Sequence, residues 1–139
     1  MTALLDLNVL LDVIQSRQPH YADSAAVLSA ARTGEFKALL PIHAITTVFY
    51  LIERSCGTAA ANQTVDWLLE YFDVPSADKS VLVRARALLL RDFEDAVVAS
   101  VAEKHQCDYI VTRNVPDFAG SPISAVSPND FVRLIRNRA

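Results

Sequence analysis

Short apolar runs alternate with longer stretches of helical spacing along this chain. Residues 3–6 (ALLD), 37–41 (KALLP), 72–74 (FDV), 109–112 (YIVT) and 123–126 (ISAV) read as short buried strands. Between them, residues 21–32, 44–54, 59–71, 77–90, 93–105 and 129–136 carry apolar positions at helical spacing. Ser127-Pro128-Asn129-Asp130 has the form of a cap ahead of the last helix, and Ser76 or Asp78 suits the start of the helix near residue 77. Strands that are apolar throughout and separated by helices predict an α/β fold, with a parallel sheet covered on both faces. Ligands of such folds sit beyond the carboxyl ends of the strands. Asp6 ends the first predicted strand and Thr112-Arg113-Asn114 follows the fourth, so polar residues gather where this architecture builds its sites.

Composition narrows the class. A chain of 139 residues, 52% hydrophobic and 21% charged with three glycines, suits one folded domain over residues 1–139 and not a disordered segment. No apolar stretch approaches the roughly 20 residues that span a bilayer, so no membrane partner is expected. The N-terminus reaches Asp6 without a basic region, unlike a signal peptide. Cys56 and Cys107 form no metal-ligand spacing and read as reduced thiols, which points to the cytoplasm. A net charge of −3 argues against a simple basic nucleic-acid binder. An enzyme that meets phosphates through bound cations remains compatible, because those cations add charge the count omits.

Three acids stand out by context. Asp6 closes a buried strand, Asp95 opens the helix EDAVVASVAEKH, and Asp117 lies in TRNVPDF just after the strand YIVT. If the first and fourth predicted strands are neighbours, all three converge. Carboxylates so placed repel and their pKa values rise unless a cation holds them. Oxygen donors suit Mg²⁺ or Mn²⁺, and the scarcity of His with unclustered Cys argues against zinc. Such ions activate water for phosphodiester hydrolysis. Each acid also has a plainer reading. Asp6 suits a cap of the turn after its strand. Asp92 and Asp95 resemble the N-cap and N3 positions of a capping box, and Asp117 resembles an ordinary loop acid. Asp12, Asp23, Asp66, Asp73 and Asp78 read as solvated or capping residues, and His20, His43 and His105 show no pairing pattern. No nucleophile arrangement or glycine-rich phosphate loop is visible. Among the arginines, Arg113 alone is placed to meet a phosphate.

LLDLNVLLDV near the N-terminus, DFEDAVVASVAEKHQCDYIVTRNVPDF near the C-terminus and the chain length together resemble a PIN domain, and in particular the VapC-type toxins of toxin–antitoxin pairs. The resemblance runs over essentially the whole chain, and D-A-x-x-A-x-x-A followed by a strand and T-R-N-V-x-D-F is its most specific part. It implies a three-layer α/β/α fold with a mostly parallel central sheet, and a Mg²⁺- or Mn²⁺-dependent endoribonuclease. The family's first acid falls on Asp6, with Asn8 beside it to orient it, and the acid of the late helix falls on Asp95. The position after the late strand falls on Asn114, with Asp117 three residues on, and Thr112 matches the hydroxyl residue of that motif. One departure concerns the helix after the second strand, where the family often carries Glu and this chain has Phe49. Glu53, one turn later on the same face, is the candidate substitute, and Asp92 completes the candidate set.

The expected activity is therefore metal-assisted hydrolysis of single-stranded or looped RNA, whose bases are accessible. A non-cleaving PIN module that binds RNA or a protein is the alternative, because of Phe49. An aspartyl phosphatase or receiver also places Asp after the first strand. The former wants a second Asp where Asn8 stands, and the latter wants one ending the third strand, where Asp73 lies inside the run. Helices bearing VFYLIE and VDWLLEYF present apolar and aromatic residues that predict a homodimer through this region, with a small antitoxin nearby.

Overall fold

The computed structural model describes residues 1–138. Strand β1 (Thr2–Leu5) leads into helices α1 (Leu7–Ile14) and α2 (Tyr21–Arg32), then strand β2 (Lys37–Leu39). Four helices follow: α3 (Ile42–Cys56), α4 (Thr58–Tyr71), α5 (Lys79–Ala87) and α6 (Phe93–Lys104). Strand β3 (Tyr109–Val111), a 3₁₀ turn (Val115–Phe118), strand β4 (Ala125–Val126) and helix α7 (Pro128–Asn137) complete the order.

The sheet runs β2-β1-β3-β4, and every pairing is parallel. Alternate side chains of β1 point to opposite faces. Ala3 and Leu5 join the core formed with α1, α2, α3, α4 and α7, whereas Leu4 packs with Ile110 of β3 and with Val98, Ala99 and Ala102 of α6. Two apolar clusters on opposite faces of one parallel sheet make the three-layer α/β/α arrangement expected from the sequence. The chain leaves β1 toward β2 on one side and returns to β3 on the other, so the order reverses between β1 and β3. That reversal opens a crevice beyond their carboxyl ends.

Three local expectations are corrected. The stretch after Asp6 was not expected to be helical, yet Leu7–Ile14 forms α1, capped by Asp6 and with the consecutive residues Val9, Leu10 and Leu11 all buried in the core around it. Residues 72–74 do not form a strand. They reach β2 through one parallel bridge, Leu39 to Asp73, with hydrogen bonds from Leu40 N to Asp73 O and Asp73 N to Ala38 O. Pro75 then removes the next ladder donor. The helix expected over 77–90 is α5, which stops at Ala87. Of its two proposed caps, Asp78 serves, accepting from Ser80 N at 3.0 Å. Ser127 caps α7 as expected, accepting from Asp130 N at 3.2 Å.

Candidate active site

The register of β1 and β3 builds the centre of the crevice. Leu5 stands opposite Val111, so the next residues, Asp6 and Thr112, meet beyond the strand ends. Asp6 is 8% exposed and Thr112 is fully buried. Asp6 Oδ1 accepts from Leu7 N at 2.9 Å and caps α1, which bears out the plainer reading. Its Oδ2 accepts from Thr112 Oγ1 at 2.8 Å and from Asn8 Nδ2 at 3.3 Å. Thr112 Oγ1 in turn accepts from Asn114 N at 3.0 Å. Asn8 Oδ1 accepts from Arg113 N at 3.4 Å. The backbone after β3 is thereby tied to the start of α1 through Asp6, Asn8 and Thr112, with Asn114 contributing its main chain. Burial raises the Asp6 pKa, the bonds from Thr112 and Leu7 oppose that, and the Glu94 charge adds to the rise.

Helix α6 brings the second acid. Asp92 caps it, its Oδ1 accepting from Asp95 N at 3.0 Å, so one half of the expected capping box is present. Asp95, Asp92, Asp117 and Arg91 line one open cleft. The Asp95 pKa is pushed up to about 6, first by burial and then by the charges of Asp6, Asp92, Asp117 and Glu94. Asp95 thus feels both other principal candidates. Asp117 stands exposed in the 3₁₀ turn after β3.

Two candidates lie elsewhere. Glu53 is exposed, and its carboxylate accepts from Thr58 Oγ1 at 3.3 Å, across the junction of α3 and α4. It does not line the cleft that Asp92, Asp95 and Asp117 share. Phe49 packs against the core cluster and offers no donor. Arg113 was expected to be free for phosphate, but its Nε lies 2.8 Å from Oδ2 of Asp12. The N–H points off that axis, so the contact is an ion pair without hydrogen-bond geometry. Asp12, expected to be solvated or capping, is fully buried and also accepts from Ser24 Oγ at 2.8 Å. Its partners were out of sight in the sequence, because Ser24 and Arg113 are distant along the chain. The reading of the sequence also passed over Glu94 and His43. His43 stands in the first turn of α3, past the carboxyl end of β2, and its Nε2 lies 3.5 Å from Glu94 Oε1. Its place at a strand's carboxyl end was the signal available.

Among the described residues, no three His, Cys, Asp or Glu side chains stand close enough to close around an ion. The donors present are carboxylate, amide and hydroxyl oxygens in an open, mutually repelling set. That set fits Mg²⁺ or Mn²⁺ better than zinc, since Mg²⁺ keeps several waters and takes only one or two carboxylates.

The model of the PIN domain family matches residues 2–116. No curated protein sequence matches the chain. Solved structures are similar in fold. A toxin–antitoxin complex from Klebsiella pneumoniae has 22% identity and a TM-score of 0.69, covering 91% of this chain and 97% of that one. VapBC2 from Rickettsia felis, bound to a DNA fragment from its promoter, has 15% identity and a TM-score of 0.68, covering 91% and 98%. VapC20 from Mycobacterium tuberculosis, a sarcin–ricin loop cleaving toxin, has 16% identity and a TM-score of 0.61, covering 78% and 86%. With the family model matched over most of its length, on a parallel sheet with Asp6 at the end of β1 and Asp95 in the first turn of α6, the chain belongs to the PIN domain family.

Proposed function

We propose that this chain is a Mg²⁺- or Mn²⁺-dependent endoribonuclease of one domain, the toxin of a toxin–antitoxin pair. The observation that carries the reading is the gathering of acids past the strand ends: Asp6 is held by Thr112 and Asn8, and Asp92, Asp95 and Asp117 line one cleft. Asp6 and Asp95 would hold the cation, with Asp117 at the open side of the cleft. When bound, the ion would acidify a water and stabilise charge on the phosphate. The chain's own part is orientation. Thr112 and Asn8 fix one oxygen of Asp6 while Leu7 N fixes the other, so the carboxylate is held before any ligand arrives. In the hydrolysis, a water oxygen bonds to phosphorus and the phosphorus–oxygen bond to the departing ribose breaks.

Toxin–antitoxin complexes among the similar structures support a small antitoxin protein as partner. Exposed Ile42 and Tyr50 on α3 and Leu69 on α4 support a homodimer through this face. The absence, among the described residues, of a helix long and apolar enough to cross a membrane is compatible with action in the cytoplasm. The second reading, a PIN module that binds without cutting, draws on Phe49 and the displaced Glu53.

One experiment separates them. Wild-type protein should cleave RNA in Mn²⁺ and lose that activity in chelator. Asp6→Asn keeps the shape and removes the charge, and should reduce cleavage by about a hundredfold or more, since ligand loss exceeds the 10–100-fold typical of outer-shell changes. Cleavage by Asp6→Asn at the wild-type rate would overturn the assignment, and a wild type that binds RNA but never cuts it would favour the second reading.

A further inference from the structure

The cleft that Asp92, Asp95 and Asp117 share is lined by a single cation, Arg91. The connection between α5 and α6 brings it there by alternating buried and exposed positions. Leu88, whose backbone is extended, and Leu90 pack against the apolar cluster that holds Val98 and Ala99 of α6. Leu89 between them is 94% exposed, and Arg91 after them is exposed as well. Alternate side chains of an extended segment point to opposite sides, so anchoring the two leucines turns Arg91 outward. Asp92 then caps α6 through Asp95 N at 3.0 Å, which holds the backbone beside Arg91 from the other side. Among the described residues Arg91 forms no ion pair, although three carboxylates line its cleft. A guanidinium serving only to neutralise those acids would be docked on one of them, as Arg113 is on Asp12.

We infer that Arg91 is a substrate-binding residue that holds a phosphate of the RNA strand in this cleft. The inference rests on the ribonuclease reading above. Three carboxylates outweigh one divalent cation by a single negative charge, which repels a phosphodiester, and one guanidinium removes that excess. The planar fork of arginine also matches two phosphate oxygens at once. The cleft has a volume of about 340 Å³, several times the roughly 30 Å³ share of one water, so a hydrated ion and a phosphate fit together. Arg113, the arginine expected to meet phosphate, is paired with Asp12 and lines a different cavity with His20 and Ser127. The contact therefore passes to Arg91.

Binding of a fluorescent single-stranded RNA, followed by anisotropy in chelator where cleavage stops, tests the contact. Arg91→Gln should weaken binding roughly tenfold. It should also lower the slope of log affinity against log salt by about 0.7, the share of one phosphate contact on a single strand. Arg91→Lys keeps the charge without the fork, so it should keep the slope and recover part of the affinity. Arg86→Gln makes the same change of net charge at an exposed position of α5 and should leave both quantities at their wild-type values. In Mn²⁺, Arg91→Gln should raise the KM for RNA while titration shows Mn²⁺ bound no more weakly than by wild type, which separates a phosphate contact from loss of the ion. A wild-type slope in Arg91→Gln, or an equal fall of slope in Arg86→Gln, would overturn this inference alone. A wild type that shows the Arg91-dependent slope but never cuts RNA in Mn²⁺ would overturn the ribonuclease reading and leave the contact standing. No affinity for RNA in either condition would overturn both.

Discussion

Asp6 serves two purposes with one carboxylate: Oδ1 caps α1 and Oδ2 faces the crevice through Thr112 and Asn8. A cap alone would accept a neutral amide, so charge is the property that separates the structural from the functional purpose. Asp95 makes the cost of that charge measurable. Its pKa is about 6 in the folded chain against 3.8 for an unperturbed Asp, mainly through burial and then through Asp6. The folded state therefore holds the proton more tightly than the unfolded state, and stability falls as pH rises from about 4 to about 6. In chelator, Asp95→Asn should raise stability at pH 7 by about 1 kcal/mol, the full shift being discounted for solvent screening at a half-exposed group. The gain should vanish near pH 4. Thermal melts of both proteins at the two pH values check this, and an equal difference at both would refute the coupling. Because a metal binds the ionised carboxylate, Mn²⁺ affinity should also climb between pH 5 and pH 7.

At the scale of elements, the short helix α1 joins the site to the body of the fold. Asn8 and Asp12, one turn apart on α1, lie on one side. Asn8 meets the backbone after β3 and Asp12 meets both Arg113 and Ser24 of α2. Oδ1 of Asp12 has no hydrogen bond among the described residues, so the Arg113 guanidinium is the main compensation for a fully buried charge. Removing one member of a buried pair leaves the other uncompensated, and Arg113 is only 22% exposed. Asp12→Ala should cost about 3 kcal/mol in urea unfolding. Asp12→Asn should cost less, because it retains an acceptor for Ser24 Oγ. If Asp12→Ala unfolds at the wild-type midpoint, the pair is not holding α1, α2 and the segment after β3 together.

On the scale of the whole molecule, the apolar display expected on α3 and α4 is largely absorbed inward. Val48, Ile52, Leu68 and Phe72 are buried, and Phe49 and Trp67 pack against the same core. What stays outside is Ile42, Tyr50, Leu69 and Tyr71, and Arg54 and Arg32 lie over the rings of Tyr50 and Tyr71 at 5.3 Å. Further apolar surface lies around α5, where Val83 is 61% exposed, and at Leu89 beyond it, which is 94% exposed. The proposed homodimer is therefore expected to use a narrow face. Leu69→Asp should give a monomer by light scattering at micromolar concentration while the melting temperature of the protomer is kept. A wild type that is already monomeric there would refute dimerisation through α3 and α4.

The sequence by itself determined the layered α/β class, because fully apolar short strands tolerate only a sheet covered on both faces. It also determined that Asp6 and Thr112 lie at strand ends, since each directly follows an apolar run. Most helices and the caps at Asp92 and Ser127 were legible because their signals lie within one turn. Helix α1 was not, since a run of leucine and valine buried against a core has no period that separates helix from strand. Only the tertiary structure decided which polar groups meet. Register set Asp6 against Thr112, the crossover set Asp95 where it feels the Asp6 charge, and packing sent Glu53 to Thr58 and Arg113 to Asp12. The physical reason is range: capping and periodicity act over a few residues, whereas charge and burial act through space between segments as far apart as Asp12 and Arg113.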